Sequence, residues 1–360
     1  MALRRVLVSG ASGMVGRALV AALSVPSAAN GFAPAVSTLV RRPARAANEV
    51  FWDGASRIDL AACEGFDAVV HLAGENVGSG SGGLSALTGR WDARKKHDIM
   101  ASRRDGTRLL ARSLAALRAP PRVLVTASGV GFYGAACGDA ELGEDAPRGA
   151  GFLADVAAEW EAAAAPAAAA GVRVVNLRFG VVLSATGGVI GAGEGRRRER
   201  RGRGQAGAGG AQVHVPKTNH AIPRPPPRPR PPAPAKLRLP FSLCLGGPIG
   251  SGAQWMSWIT LADAVRSVEF ALAHGELAGP VNAVAPAPAR AAEFSAALGA
   301  ALGRPAVIPL PAPAVRAVFG EMGEETLLAS QRALPRKLLA AGFKFAQPDI
   351  EAGCREALLR

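Results

Sequence analysis

Three glycines near the start of the chain have the spacing of a phosphate-binding turn. Gly10, Gly13 and Gly16 follow an unbroken apolar run, Val6 to Val8, and precede a stretch that is typical of a helix. In such a unit the first glycine makes the tight turn, the second lets the backbone approach a pyrophosphate, and the third lets the helix pack on the strand. The N–H groups at the helix N-terminus then face the anion. The spacing predicts nucleotide binding, with an ordinary glycine-rich turn as the alternative.

Two arginines follow the second predicted strand, Ala35 to Val40. In folds of this kind the residue at this position contacts the adenosine ribose. A carboxylate there accepts a hydrogen bond from the 2′-hydroxyl of NAD, whereas arginine matches the 2′-phosphate of NADP. Arg41 and Arg42 therefore predict NADP as the cofactor. The alternative is a pair of solvated arginines at the end of a strand.

Small residues follow the third predicted strand, Phe66 to Leu72. Ala73 and Gly74 leave room for a dinucleotide near the point where the strand order of a parallel sheet reverses. Glu75 comes next and is a polar candidate near the expected pocket. His71 lies inside the strand, and we interpret it as a core histidine because no second His or Cys stands at metal-ligand spacing. The sequence predicts no metal site.

Strands and helices alternate along the chain, and this order predicts a parallel sheet with helices on both faces. The predicted strands are Arg5–Ser9, Ala35–Val40, Phe66–Leu72, Arg122–Ala127, Arg173–Leu177, Trp255–Ile259 and Pro280–Val284. The predicted helices are Met14–Ser24, Trp91–Ala116, Phe152–Ala170, Asp263–His274, Arg290–Leu302, Ala312–Phe319 and Glu324–Ala340. We expect an α/β fold, a Rossmann-type doubly wound parallel sheet with a smaller C-terminal α/β lobe.

Short motifs over nearly the whole chain resemble one protein family. They include GASGMVG, LVRR, VVHLAGEN, VLVTASGVGFYG and LRFGVVLS, and later WMSWITLADAV, GPVNAVAP and SQRALPRKLLAAGF. In these motifs the chain is similar to the atypical extended short-chain dehydrogenase/reductases, and among them to the epimerase family proteins. The resemblance extends through a C-terminal module, about residues 297–345, that is peculiar to this group. It implies an NADP-binding Rossmann domain and a substrate-side lobe.

The glycine pattern and the resemblance together place the cofactor contacts along the carboxyl edge of the sheet. The expected contacts are Gly10, Ser12, Gly13, Met14, Val15, Gly16, Arg41, Arg42, Leu72, Ala73, Gly74, Arg103 and Val182. Asp98 is a weaker candidate. We divide the chain into an NADP-binding domain (1–185), an insertion (192–235), a remaining strand with substrate-side elements (236–296) and a C-terminal helical module (297–360).

Extended reductases of this type usually carry a Tyr-x-x-x-Lys pair, in which the phenol exchanges a proton with the substrate. This chain has one tyrosine, Tyr133, and Cys137 stands four residues later. The predicted helix Phe152–Ala170 contains neither Tyr nor Lys. Ser128, at the end of a strand, and Tyr133 are therefore the candidate catalytic residues. A hydrogen bond within a turn and packing in the core are the respective alternatives.

Other polar residues are weaker candidates. Glu144 and Asp145 stand near the expected pocket. Gln331, Arg332 and Arg336 are predicted on one helix, where they could face an anionic group or form a solvated surface.

The net charge of +14 is concentrated in one segment. Between Ala192 and Arg238 there are ten Arg and two Lys against two Glu, so ten of the fourteen net charges lie there. The part from 192 to 235 is rich in Arg, Gly and Pro and has almost nothing to bury, which predicts disorder. Three interpretations stay open: a solvated insertion, a basic tether for RNA or an acidic membrane surface, and translated intron sequence, which we favour because the edges are abrupt.

Composition limits the remaining choices. With 360 residues, 49% of them hydrophobic, the chain can form a sizeable core. No apolar run approaches the roughly 18 to 20 residues of a membrane helix. Four cysteines lack a C-x-x-C pair, which indicates unpaired thiols. We expect a soluble protein, cytoplasmic or, in a plant or alga, chloroplastic, although the start of the chain resembles no transit peptide.

The sequence thus predicts an NADP(H)-binding oxidoreductase or epimerase acting on an unknown small molecule. A non-catalytic NADP(H)-sensing or scaffold protein, for example in organelle division, is the alternative. Nucleic acid becomes a partner only if the Arg-rich segment belongs to the mature protein. A homodimer is an open alternative to a monomer.

Overall fold

A seven-stranded parallel sheet forms the centre of the protein. The computed structural model describes residues 3–26, 33–79, 88–185 and 246–359. The seven strands are β1 (Arg5–Ser9), β2 (Ala35–Val40), β3 (Glu49–Phe51), β4 (Ala68–His71), β5 (Val123–Gly129), β7 (Arg173–Phe179) and β11 (Gly279–Ala283). Their order across the sheet is β11-β7-β5-β4-β1-β2-β3, and every neighbouring pair is parallel. The order reverses between β1 and β4, which confirms the doubly wound prediction.

The helices cover both faces of this sheet. They are α1 (Met14–Leu23), α2 (Ala93–Ala115), α3 (Phe152–Ala162), α4 (Ala165–Ala169), α5 (Leu261–Ala273), α6 (Ala291–Leu302), α7 (Ala312–Phe319), α8 (Glu321–Thr326), α9 (Arg336–Ala340) and α10 (Ile350–Leu359). Val6 and Val8 pack with α1 and α5 on one face, and Leu7 packs with α2 and α4 on the other. Because both faces are covered, the strand sequences are continuous apolar runs and do not alternate between apolar and polar residues.

A row of buried polar side chains crosses the sheet on the α2 face. Ser9, His71, Thr126 and Asn176 are successive register partners on β1, β4, β5 and β7. The Ser9 hydroxyl lies 2.7 Å from His71 Nδ1, and the Thr126 hydroxyl donates to Asn176 Oδ1 over 2.6 Å. The row lies just below the carboxyl edge, beneath the expected cofactor.

Short strands attach the C-terminal part to the central sheet. They are β6 (Ala136–Leu142), β8 (Val181–Leu183), β9 (Trp255–Met256), β10 (Trp258–Thr260), β12 (Ala289–Arg290) and β13 (Ser330–Ala333). They form three two-stranded pairs, β10 with β8, β12 with β9, and β13 with β6. Trp258 is fully buried and packs with Leu298 of α6 and Cys354 of α10 in a separate small core.

Two predicted helices are wrong. The stretch Phe152–Ala170 is two helices, α3 and α4, because Pro166 has no N–H to donate and is accommodated in the first turn of a new helix. The stretch Glu324–Ala340 contains the end of α8, the strand β13 and α9. Gln331 and Arg332 therefore lie on β13, Arg336 begins α9, and the three residues do not share a helix.

Several expectations concern parts of the chain that are only partly described. The insertion 192–235 and Cys244 lie outside the described residues. Cys63, Cys137 and Cys354 carry free thiols. Within the described ranges, every helix is too short or too polar to cross a bilayer.

Candidate cofactor and active site

The glycine turn between β1 and α1 has the shape that close approach of a pyrophosphate requires. Gly10 has φ +67°, and a Cβ there would lie 2.7 Å from the carbonyl carbon of Leu72. A Cβ on Gly16 would lie 2.1 Å from the Gly10 carbonyl oxygen. The Gly13 N–H donates to the same oxygen over 2.9 Å and precedes the first turn of α1. Side chains at Gly10 and Gly16 would clash with the backbone around them, so glycine is what permits this compact turn. A compact glycine turn before a helix N-terminus fits a dinucleotide phosphate, and we call residues 10–16 the glycine cradle.

The end of β4 packs directly against this turn. The Ser9 hydroxyl accepts from the backbone N–H groups of Leu72 and Ala73 over 3.2 and 3.3 Å. Ser9 therefore gives its own proton to His71 Nδ1, which leaves the ring proton of the neutral histidine on Nε2. Burial lowers the pKa of His71 to about 4. His71 is thus a neutral core residue that orients Ser9, and Ser9 in turn holds the backbone at Leu72 and Ala73.

The two arginines after β2 have different environments. Arg42 donates from Nη1 and Nη2 to the two carboxylate oxygens of Glu49 on β3, over 2.7 and 2.5 Å. These hydrogen bonds hold the pKa of Glu49 at about 2. Arg41 is exposed and, among the described residues, forms no ion pair. Of the two arginines, Arg41 is therefore the one whose guanidinium is not already paired with a carboxylate of the described residues.

Arg103 of α2 lies under the loop that follows β4. Its Nη1 donates to the Glu75 carbonyl oxygen over 2.9 Å, and its guanidinium lies 4.8 Å from the centre of the Trp160 ring. A Cβ on Gly74 would be 3.2 Å from the guanidinium carbon, so only glycine fits there without displacing it. Burial lowers the pKa of Arg103 to about 10. The arrangement places a largely desolvated cation against the backbone of the expected cofactor cleft.

Glu75 forms a second charged pair at the same edge. Lys95 Nζ donates to Glu75 Oε1 over 2.7 Å and to the Ser79 hydroxyl over 3.2 Å. The Lys95 side chain is 3% exposed and that of Glu75 is 35% exposed, so the lysine supports the carboxylate from inside. Glu75 Oε2 has no hydrogen-bond partner among the described residues.

Ser128, the first candidate catalytic residue, is held by a buried ion pair. Its hydroxyl donates to Glu161 Oε1 over 2.7 Å. Arg178, the register partner of Ser128 on β7, donates to both oxygens of Glu161 over 2.7 and 2.8 Å. Because the hydroxyl proton is committed to Glu161, Ser128 presents its lone pairs as acceptors.

Tyr133, the second candidate, is saturated with hydrogen bonds inside the protein. Its hydroxyl lies 3.0 Å from the Gly143 carbonyl oxygen and 2.8 Å from Asn282 Oδ1, and it accepts from Arg178 Nη1 over 3.0 Å. The residue is 3% exposed, and burial raises the pKa of the phenol. In this structure Tyr133 packs in the core with Val130 and Leu142, which was the alternative to a catalytic role.

The weaker polar candidates are dispersed. Asp98 is exposed and lies 3.6 Å from His97 Nδ1. Glu144 is buried and accepts hydrogen bonds from the backbone N–H groups of Asn282 and Lys337. These bonds link β11 and the start of α9, so the role of Glu144 is structural. Asp145, by contrast, is exposed.

Two further sets of predicted residues lie at the sheet edge and in the C-terminal part. Val182, an expected cofactor contact, pairs with Ile259 where β8 meets β10. Arg332 and Arg336 both lie near Glu141, at 3.3 and 3.6 Å. Within the described ranges no group of three or more His, Cys, Asp or Glu side chains could hold a metal ion.

The parallel sheet, the glycine turn at its switch point and the charged residues beside it define a Rossmann-type NAD(P)-binding protein. Residues 6–201 match the model of the NAD-dependent epimerase/dehydratase family, and residues 310–357 match a domain of unknown function, DUF1731. The chain belongs to the NAD-dependent epimerase/dehydratase family. From here on, the term C-terminal module means residues 310–357 only, a narrower range than the modules expected from the sequence, which begin at residue 297.

Three relatives illustrate the similarity. The human epimerase family protein SDR39U1 is 35% identical over 98% of this chain and 99% of its own length. The epimerase family protein MT2273 of Mycobacterium tuberculosis is 36% identical over 96% of this chain and 94% of its own length. A crystal structure of human SDR39U1 (isoform 2) with NADPH is 33% identical, covers 99% of both chains and superposes with a TM-score of 0.75. These matches confirm the resemblance to the epimerase family proteins.

Several residues of the site were not anticipated from sequence. Glu161 and Arg178 hold Ser128, Lys95 supports Glu75, and Glu49 binds Arg42. The available signal for Glu161 and Arg178 was one charged residue in each of two otherwise uncharged stretches, WEAAA and VVNLRFG. A charge in a buried stretch usually has a partner of opposite sign.

Proposed function

We propose that this chain is an NADP(H)-dependent oxidoreductase or epimerase of the short-chain dehydrogenase/reductase type that acts on a small molecule with a hydroxyl or carbonyl group. The observation that carries the proposal is the glycine cradle, which opens on the same sheet edge where Ser128 is held as an acceptor. When bound, the nicotinamide supplies or accepts a hydride. The residues of this chain bind the cofactor, and the Ser128 oxygen accepts a hydrogen bond from the substrate when the substrate is in its hydroxyl form.

NADP(H) is the proposed form of the cofactor because Arg41 offers a guanidinium without an acidic partner among the described residues. A 2′-phosphate beside Arg41 would form a charge-assisted pair, and the phosphate-free NADH would not. A relative that is 33% identical was crystallised with NADPH. Calorimetric titration of the purified protein with NADPH and NADH tests this proposal. Tighter binding of NADPH is expected, and equal or tighter binding of NADH contradicts it.

The proposed proton partner is Glu75 with its support, Lys95. The α3 stretch FLADVAAEWEA has neither Tyr nor Lys, and Tyr133 has no free hydrogen-bonding capacity. Glu75 keeps one carboxylate oxygen that no described residue occupies, at an edge where a substrate hydroxyl could meet it. E75Q keeps the shape of the side chain and removes its basicity. We expect E75Q to bind NADPH like the wild type. It should lower about a hundredfold the single-turnover rate of alcohol oxidation, in which the carboxylate takes the hydroxyl proton while NADP+ accepts the hydride.

A non-catalytic NADP(H) sensor or scaffold is the second candidate. It is favoured by the fact that the Tyr133 hydroxyl is fully engaged by Arg178, Asn282 and Gly143. The two functions differ in a single-turnover assay with a broad panel of carbonyl compounds and sugar nucleotides. Oxidation of bound NADPH by any of them supports the enzyme, and tight binding without oxidation across the panel supports the sensor.

Nucleic-acid binding is a separate possibility that depends on the Arg-rich segment 192–235, which lies outside the described residues. Sequencing the cDNA decides whether the segment is translated. If it is, its deletion is expected to abolish salt-sensitive RNA binding and to leave NADPH binding unchanged. Retention of RNA binding after the deletion would contradict the assignment of that activity to this segment.

A further inference from the structure

The first turn of α3 takes its cap from the C-terminal module. Glu325 of α8 accepts from the backbone N–H of Phe152 through Oε1 over 2.7 Å and from that of Leu153 through Oε2 over 2.6 Å. Gly151, the residue before the helix, has φ +112° and provides no side-chain cap. A Cβ at that position would lie 2.8 Å from Glu325 Oε1, so glycine is what admits the carboxylate. One residue from another part of the chain thus satisfies two N–H groups that a helix leaves unpaired.

Other contacts hold the module at the same place. Lys96 of α2 donates to both carboxylate oxygens of Glu321 over 2.8 and 3.0 Å, and its ammonium lies 4.6 Å from the centre of the Phe152 ring. Arg90 donates to the Ala317 carbonyl oxygen over 2.8 Å. The C-terminal module is therefore fixed to the starts of α2 and α3 by charged groups.

The other end of α3 carries residues that support the candidate site. Trp160 lies beneath the Arg103 guanidinium, and Glu161 binds Ser128 and Arg178. Glu161 contacts the end of β5, and the nine residues before it span about 13 Å of helix back to Phe152. The start of α3 packs on the segment that follows β5, where a Cβ on Gly131 would be 3.1 Å from Leu153.

We infer that Glu325 is a positioning residue for the cofactor cleft, and that orienting α3 is a role of the C-terminal module. The lower end of α3 is held by Arg103 and Arg178, and the upper end by Glu325. A carboxylate at a helix N-terminus also complements the partial positive charge there. This inference rests on the proposed cofactor site, because α3 is taken as a wall of that site. It assigns a task to a module whose family model carries no function.

The test compares E325A with E324A in the full-length chain. Glu324 lies on the same helix and pairs with Arg316 inside the module, so E324A is a matched control. We expect E325A to raise the Kd for NADPH about tenfold, the change that results when the stability lost with one helix cap must be recovered on binding. The amide resonances of Phe152 and Leu153 should move upfield and exchange faster. E324A should leave both measurements unchanged.

A cap that only stabilises the fold would lower Tm in E325A and leave the Kd within about twofold of the wild type, and that result overturns the inference. If E325A does not fold, E325Q serves instead, since its single carbonyl acceptor predicts a change of the same sign and smaller size. Failure of the wild type to bind NADPH contradicts the proposed function. The role of Glu325 in orienting α3 is then decided by amide exchange along α3 alone.

Discussion

Arg42 is bound through both terminal nitrogens to Glu49, and this pair leaves Arg41 as the arginine available to a ligand. We expect R41A to raise the Kd for NADPH about tenfold or more and to leave NADH binding unchanged, because only NADPH carries the 2′-phosphate. Calorimetry measures both constants. R42A is the matched control and should change the NADPH affinity less than R41A. A larger effect of R42A would show that the Glu49 pair opens on binding.

Gly16 allows α1 to pack against the turn that follows β1. In G16A the new methyl carbon would lie 2.1 Å from the Gly10 carbonyl oxygen, so the turn must move. We expect G16A to lose NADPH binding and to unfold at a lower temperature. G275A is the control, since a Cβ on Gly275 meets no atom within 4 Å. Binding by G16A at wild-type affinity would refute the cradle.

Glu161 and Arg178 form a buried ion pair, and the same glutamate holds the Ser128 hydroxyl. Their side chains are 12% and 3% exposed, so removing one partner leaves a buried, uncompensated charge. E161A and R178M should each lower the free energy of unfolding by about 3 kcal/mol or more. The double variant E161A/R178M should lose less than the sum of the two. Denaturant unfolding measures the values, and additive losses would contradict the coupling.

His71 makes stability depend on pH. Its pKa is about 4 in the folded protein against 6.5 for an ordinary histidine, so the unfolded state binds the proton more tightly. The contribution of His71 to the free energy of unfolding is fully present well above about pH 6.5. It decreases as the pH falls towards about 4. Between about pH 7.5 and pH 5 we expect a loss of about 2 kcal/mol in the free energy of unfolding. H71Q should reduce the dependence of the unfolding free energy on pH. An unchanged dependence would show that other groups cause it.

Local patterns predict the elements whose residues interact with near neighbours in sequence. The observed bounds of β1, β2 and α7 coincide with the predicted ones, since each has an apolar run between clear breaks. β3 has three residues, too few to show a period, and it forms because Glu49–Phe51 can pair with β2. β13 forms by pairing with β6, almost 200 positions earlier in the chain, and this contact overrides the helical pattern of Glu324–Ala340.

The same limit applies to the site. The glycine turn could be predicted because its three residues lie within seven positions of one another. The partners of Ser128 could not, because Glu161 and Arg178 lie 33 and 50 positions later and meet it only when β5, α3 and β7 are assembled. Tyr133 was correctly placed after β5, but sequence could not show that Asn282 and Arg178 engage its hydroxyl.

The polar row across β1, β4, β5 and β7 has a consequence for how the strands find their alignment. Parallel strands of uniformly apolar residues can slide past one another with little penalty, whereas Ser9 must stand opposite His71 and Thr126 opposite Asn176 for their hydrogen bonds to form. A shift of one position would turn each of these side chains to the other face of the sheet and leave it without a hydrogen-bond partner. Misaligned sheets are thereby disfavoured. Because the cleft lies at the ends of these strands, their register also determines its dimensions.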